Sequence, residues 1–267
     1  MAHKAKKSLG QNFLKSQEAL RKMCEAGEVG SRDTILEIGP GKGALTEKLL
    51  EKGAVVIAIE KDHDLIELLS EKFAGEIKNN KLILIEGDCL DFNPENYFKN
   101  NKYKIIANIP YNITGAIFKK FLSGNSQPER MLLLIQKEVA ERIVTRDGKE
   151  SILSLSVKIY GTPKYIMKVH KRFFSPSPKV DSAIIAVTNI SKDNFKTETE
   201  EKDFFNTIKA GFAHKRKVLR KNLEILQKNP NQVDNIFEKL KINPKARAED
   251  IKLETWLKIS SDLSTNI

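Results

Sequence analysis

Between residues 33 and 188, short runs of apolar and β-branched residues alternate with stretches of helical periodicity. That alternation restricts the chain to a largely parallel sheet, because parallel neighbours need a crossover and the crossover helices then cover both faces. The expected strands are Thr34–Ile38, Val55–Glu60, Leu82–Glu86, 104–107, 131–136, 164–169 and 182–187, seven in all. Residues 152–160 have apolar side chains at mixed spacing, and their place in the alternation makes them a helix. Only residues 171–181, with prolines at 176 and 178, separate the last two strands. No crossover helix fits there, so an antiparallel pair is expected at the sheet edge, with the sheet ending in a reversed strand.

A chain of 267 residues, 40% of them hydrophobic, can bury one full core and carry a small lobe besides. The first 32 residues read as an arm, opening on the basic run His3-Lys4-Ala5-Lys6-Lys7 and leading into a helix with Leu20, Met23 and Cys24 on its apolar face. After Asn189 the sequence turns polar, through Ser191-Lys192-Asp193-Asn194 and Lys196-Thr197-Glu198-Thr199-Glu200-Glu201, and reads as a linker. Helical patterns follow at 202–212, 215–227, 232–240 and 248–260, broken by Asn229-Pro230 and Asn243-Pro244. The expected division is therefore a sheet domain over 1–191 and an all-helical C-terminal domain over 192–267.

The formal charge of +11 points to an anionic partner such as nucleic acid. Cys24 and Cys89 stand 65 positions apart without Cys or His nearby in a ligand spacing, so neither a disulfide framework nor a metal site is expected. No apolar run approaches the roughly 18 residues of a membrane span, and the Lys-rich start lacks the apolar core of a signal peptide. A soluble, cytoplasmic monomer without membrane contact is expected.

Residues 35–46, ILEIGPGKGALT, are a strand, a glycine-rich turn and a helix start with nothing between them. Glycines at 39, 41 and 43 let the backbone turn tightly against a ligand, and the helix amides that follow receive polar groups. Glu60 ends the next strand, 17 residues after Gly43, where a carboxylate accepts from both ribose hydroxyls of a nucleotide. This pair alone also fits a dinucleotide dehydrogenase, although the pattern is GxGxG rather than GxGxxG. Glu86-Gly87-Asp88 follows the third strand, where Asp88 is placed either to bind an adenine amino group or simply to start a loop.

Asn108-Ile109-Pro110-Tyr111 comes directly after the fourth strand, at the carboxyl edge where open α/β sheets bind ligands. Here the chain resembles the N6-adenine methyltransferases, whose pattern is Asn or Asp, a variable residue, Pro and an aromatic. The adenine N6 lone pair is delocalised into the ring and is a poor nucleophile. The resemblance implies that the Asn108 side-chain oxygen and the Pro110 carbonyl accept from the N6 hydrogens and aim that lone pair at a sulfonium methyl, while Tyr111 stacks on the flipped base. Phe173-Phe174-Ser175-Pro176-Ser177-Pro178-Lys179-Val180-Asp181-Ser182 is a second signature of these enzymes. Its prolines stiffen the loop, and of its two aromatics Phe174 is the candidate to close over the base, the other packing in the core. Asn12 and Leu14, in Gly10-Gln11-Asn12-Phe13-Leu14, match the arm that closes over the cofactor's methionine end.

With these motifs the chain is similar to the KsgA family, the small-subunit rRNA adenine dimethyltransferases, along nearly its whole length. The implied fold is the Rossmann-like class I S-adenosylmethionine-dependent methyltransferase. The implied cofactor is S-adenosylmethionine, leaving as S-adenosylhomocysteine, bound by Asn12, Leu14, Gly39, Gly41, Glu60, Asp88 and Asn108; the catalytic set is Asn108, Pro110, Tyr111 and Phe174. The implied substrate is a pair of adjacent adenosines in the 3′-terminal hairpin of 16S rRNA, met in the small subunit or its precursor during ribosome biogenesis. Erm-like modification of large-subunit rRNA is the related alternative, but Asn112-Ile113-Thr114 and the segment 211–223, GFAHKRKVLRKNL, favour KsgA. A non-catalytic ribosome-assembly factor on the same fold is a third reading.

Lys215, Arg216, Lys217, Arg220 and Lys221 place five cations in seven residues, and six more Lys or Arg lie between Lys158 and Lys179 without an acid among them. On a helix, Lys217, Arg220 and Lys221 share one face and meet successive RNA phosphates.

Overall fold

The computed structural model describes residues 5–6, 9–98, 102–227, 229 and 231–264. Of the basic run at 3–7, all but Ala5 and Lys6 lie outside the described residues. Two compact units account for the chain: one is Met1–Ala140 with Gly161–Ile190, the other Glu141–Tyr160 with Ser191–Ile267. The division expected near residue 192 thus misses one segment, since Glu141–Tyr160 groups with the C-terminal helices.

In the first unit the strands are β1 (Phe13–Leu14), β2 (Thr34–Ile38), β3 (Val55–Glu60), β4 (Leu82–Glu86), β5 (Lys104–Asn108), β6 (Arg130–Gln136), β7 (Thr162–Val169), β8 (Phe174–Ser175) and β9 (Ser182–Thr188). Its helices are α1 (Gln17–Ala26), α2 (Ala44–Glu51), α3 (His63–Lys72), α4 (Ala74–Lys78), α5 (Glu95–Phe98), α6 (Thr114–Ser123) and the start of α7 (Lys137–Ile143). Seven strands form one sheet in the order β4-β3-β2-β5-β6-β9-β7. It is parallel from β4 to β6, with β9 antiparallel to both its neighbours. The reversed strand therefore sits one place in from the edge, and β7 is the edge strand. Long apolar side chains make β9 an interior strand, for Ile184, Ile185 and Val187 are wholly buried, whereas β7 alternates with exposed Thr162, Lys164 and Lys168.

The central strands carry apolar residues on both faces, Ile35 and Leu36 on β2 and Ile105 and Ile106 on β5 among them, all without solvent exposure. Parallel strands covered on both sides require this pattern. Because β2 lies between β3 and β5, the chain leaves β2 toward one side of the sheet and passes β5 toward the other. The crevice at the carboxyl ends of β2 and β5 is the place where such sheets bind ligands.

One pairing has no counterpart in the periodicity of the sequence. β1 runs antiparallel to β8, with Phe13 opposite Ser175 and Leu14 opposite Phe174. This two-residue ladder ties the N-terminal arm to the proline loop, and Lys15 extends it by donating to the Phe173 carbonyl at 2.8 Å.

The second unit contains α8 (Ile152–Lys158), α9 (Glu198–Gly211), α10 (Leu219–Leu223), α11 (Gln232–Lys239) and α12 (Leu253–Ser264), built around Trp256, Phe204 and Ile208. Two expectations change here. Residues 198–201, read as linker, are the first turn of α9: Thr197 caps it by accepting from Glu200 N at 3.2 Å, and Glu198, Glu200 and Glu201 sit where the helix dipole favours acids. The helix expected over 215–227 is broken, because α10 begins only at Leu219 and residues 215–216 form a turn. Among the described residues, no helix is long and apolar enough to cross a membrane.

Candidate active site

The turn after β2 has Gly39, Gly41 and Gly43 at φ of 66°, 60° and 78°, the left-handed region that glycine enters without strain. Space is as restrictive as angle: a Cβ at Gly43 would lie 2.5 Å from Phe73 Cε2. The turn is also bonded to the neighbouring strand. Glu60 Oε2 accepts from Gly41 N at 3.2 Å, and Oε1 accepts from Lys61 N at 2.9 Å and Asp62 N at 3.0 Å. Burial raises the Glu60 carboxyl above the usual range, while these three N–H groups pull the other way. A carboxylate has acceptor sites for about four hydrogens, so capacity remains on Oε2 for a ligand hydroxyl.

A cavity of about 750 Å³ opens over this turn, inside the roughly 300–1,000 Å³ range of small-molecule sites. It brings together Asn12, Leu14, Gly39, Gly41, Glu60, Asp88, Asn108, Pro110 and Tyr111, all expected at the site. Asn108, half-buried at the end of β5, donates from Nδ2 to the Asn12 carbonyl at 3.1 Å. That bond settles which way the amide points, and it leaves Oδ1 without a donor among the described residues. The Pro110 carbonyl accepts from Ile113 N at 3.3 Å, a long bond that leaves its second lone pair. Tyr111 is pinned through its hydroxyl to buried Ser182 Oγ at 2.6 Å, which fixes the ring; burial raises the phenol against the effect of this bond.

Asp88 is engaged at both oxygens. It accepts from Leu90 N at 2.9 Å and pairs with Lys61 Nζ at 2.8 Å, and the Lys61 bond is the main cause of its lowered pKa. Its carboxylate is thus held charged at the cavity wall.

Phe174 departs from expectation. Its side chain is 4% exposed and belongs to the core cluster with Leu14, Leu20, Val169 and Ile184. The ladder with β1 turns it inward, and Ser175 and Pro176 are the loop residues that reach the cavity. Phe173 packs only at the margin of that cluster and carries the Arg172 guanidinium 5.0 Å from its ring centre. The aromatic of this loop assigned to the base is therefore the one in the core.

Glu37, not singled out by the sequence, lines the same cavity. It is 1% exposed, accepts from Thr46 Oγ1 at 2.7 Å, and its pKa is pushed up to about 8, first by burial and further by the charge of Glu60, against the Thr46 bond. The signal available was an acid two positions before the glycine turn, inside an apolar strand.

The basic segment is also reshaped. Lys215, Arg216 and Lys217 project from the loop between α9 and α10, exposed and without an ion pair among the described residues, while Arg220 and Lys221 stand on α10. Arg220 is bound to Asp234 through Nε and, at 2.6 Å, through Nη2. The single helical face expected for Lys217, Arg220 and Lys221 does not exist.

Comparison with known proteins gives consistent results. A family model described as ribosomal RNA adenine dimethylase matches residues 2–264. The ribosomal RNA small subunit methyltransferase A of Dehalococcoides mccartyi is 39% identical over 265 residues, covering 98% of this chain and 90% of that one. Among solved structures, a dimethyladenosine transferase from Plasmodium falciparum superposes with a TM-score of 0.79 at 28% identity, over 92% of this chain and 95% of the other. The 23S rRNA methyltransferase ErmE reaches 0.77 at 24% identity, over 95% and 100%, a likeness of fold.

Proposed function

The chain belongs to the ribosomal RNA adenine dimethylase family, and from that membership we propose that it dimethylates N6 of two adjacent adenosines in the 3′-terminal hairpin of 16S rRNA, using S-adenosylmethionine and acting on the small subunit or its precursor. The relative at 39% identity is named for the small subunit, which favours that substrate over large-subunit rRNA.

The residues present suit this cofactor. Glu60 has acceptor capacity for ribose hydroxyls, charged Asp88 suits an adenine amino group, and the glycine turn admits a ligand against bare backbone. Asn12 and Leu14 would cover the methionine end from the arm. When bound, S-adenosylmethionine supplies a methyl on a sulfonium, which already carries its leaving group.

The observation that carries the reading is the Asn108 amide, held by Asn12 so that Oδ1 is available at the cavity. Oδ1 and the Pro110 carbonyl accept the two N6 hydrogens, which turns the nitrogen lone pair out of conjugation and toward the methyl. Orientation of this kind accounts for several orders of magnitude in rate. Tyr111, fixed by Ser182, offers its ring to the flipped base and offsets part of an unstacking cost of a few kcal/mol.

The test is transfer of labelled methyl to unmethylated small subunits, with large subunits in parallel, followed by digestion to nucleosides. N6,N6-dimethyladenosine from small subunits alone is expected, and Asn108→Ala is expected to lower transfer at least about a hundredfold with cofactor binding largely intact through the other residues of its set. Label in large-subunit RNA would move the enzyme to the Erm branch. No label in either, with RNA binding intact, would make it an assembly factor.

A further inference from the structure

Asp62 lies two residues past Glu60 with its side chain wholly out of solvent. It caps α3, Oδ1 accepting from Asp64 N at 3.2 Å, and capping needs one acceptor. The carboxylate does more than cap. Oδ1 also accepts from Lys6 Nζ at 2.6 Å, and Oδ2 accepts from Gln11 Nε2 at 2.7 Å, a partner 51 positions away. Lys6 Nζ meets Asp64 as well, at 2.7 Å, and the Lys6 backbone N donates to Gln11 Oε1 at 2.7 Å, so the two arm residues are braced against each other. The residue after Gln11 is Asn12, whose carbonyl receives the Asn108 amide. On its other side Asn12 adjoins the ladder of β1 with β8.

We propose that Asp62 is a positioning residue for methyl transfer: by clamping Lys6 and Gln11 it fixes the Asn12 carbonyl, and through it the orientation of the Asn108 amide. The chemistry makes that orientation decisive. Turned over, the amide presents two N–H donors to an amino group that also donates, and the acceptor that aims the N6 lone pair is lost. A free Asn108 samples both orientations; one tied to a carbonyl anchored at both ends does not. The inference rests on the role given to Asn108 under the proposed function.

The experiment uses the full chain. Asp62→Asn keeps the size and one oxygen to cap α3, but removes the charge that holds Lys6 and one of the two acceptors. Lys6→Met and Gln11→Leu release the same clamp from the arm side. Each variant is expected to lose about tenfold to a hundredfold in kcat with KM for small subunits unchanged, and Lys6→Arg is expected to restore most of the Lys6→Met loss. Amide hydrogen exchange at residues 12–15 should quicken in all three releasing variants. A loss confined to KM, a loss matched by unfolding of the variant, or faster exchange with kcat intact would overturn the proposal. Should the native protein methylate no rRNA, the functional reading fails by itself. The exchange measurement then still decides whether Asp62 clamps the arm, and unchanged exchange overturns the clamp.

Discussion

At the scale of the residue, Glu37 gives the site a proton that ordinary carboxyls have lost. An unfolded glutamate releases its proton near pH 4.5, whereas buried Glu37 keeps it up to about pH 8. Between those values the native protein binds more protons than the unfolded chain, so the stabilisation is complete below pH 4.5 and is lost as pH rises through about 8. Glu37→Gln, neutral throughout and still able to accept from Thr46, removes the dependence. The difference in thermal midpoint between Glu37→Gln and the native protein is expected to move in the variant's favour from mildly acidic to alkaline pH. A pH-independent difference would mean that Glu37 is already ionised at neutrality. Burial raises the neighbouring Glu60 as well, but three backbone N–H groups work against that rise, where Glu37 has Thr46. Side by side, one acid is met by three N–H groups that favour its carboxylate form and the other is disposed to remain neutral until something cationic arrives.

At the scale of the element, the ladder of β1 with β8 decides what Phe174 does. If Phe174 is a core residue that anchors the arm, then size matters and aromaticity does not. Phe174→Leu should cost less than about 1.5 kcal/mol and keep methyl transfer near native, whereas Phe174→Ala should cost about 3–5 kcal/mol, measured by chemical denaturation. Loss of transfer in a stable Phe174→Leu would return the residue to base stacking. The same ladder shows which elements were legible in the sequence. The seven strands of the sheet were readable because most are apolar runs bounded by turn residues, β7 with its exposed lysines being the edge strand, and NIPY fell at the end of one of them. Two residues of pairing leave no periodicity to read, so the aromatic of the proline loop was assigned by its stiffness instead of by its partner. The basic segment failed for the opposite reason. Lys and Arg favour helix, but buried Asn222 donates to the carbonyls of Gly211 at 2.6 Å and His214 at 3.2 Å, and Leu219 N to Ala246 O at 2.8 Å, which holds 212–218 as a loop. Tertiary bonds of that kind are invisible to a local pattern. Asp62 was missed likewise, since its partners lie 51 and 56 positions away.

At the scale of the whole molecule, the surplus of +11 matters less than where cations remain without an acid beside them. Much of the positive charge is paired: Lys61 with Asp88, Lys104 with Asp33, Lys168 with Asp181 and Arg220 with Asp234. A cation already neutralised by a carboxylate displaces few counterions when RNA arrives, because its partner must first be given up. Lys215, Arg216 and Lys217 have no such partner among the described residues and stand exposed on one loop. Each phosphate contact contributes about 0.7 to 0.9 to the slope of log K against log salt, so replacing all three with Ala should flatten the slope by about 2 to 3 for the unmethylated hairpin RNA. Arg220→Ala should change it much less, and Lys221→Ala should resemble one loop lysine. Titration of RNA binding over a salt series, done without cofactor so that transfer cannot intervene, separates these expectations. A large effect of Arg220→Ala with none from the loop would place the RNA on α10 after all, and would mean that the Asp234 pair opens when phosphate binds.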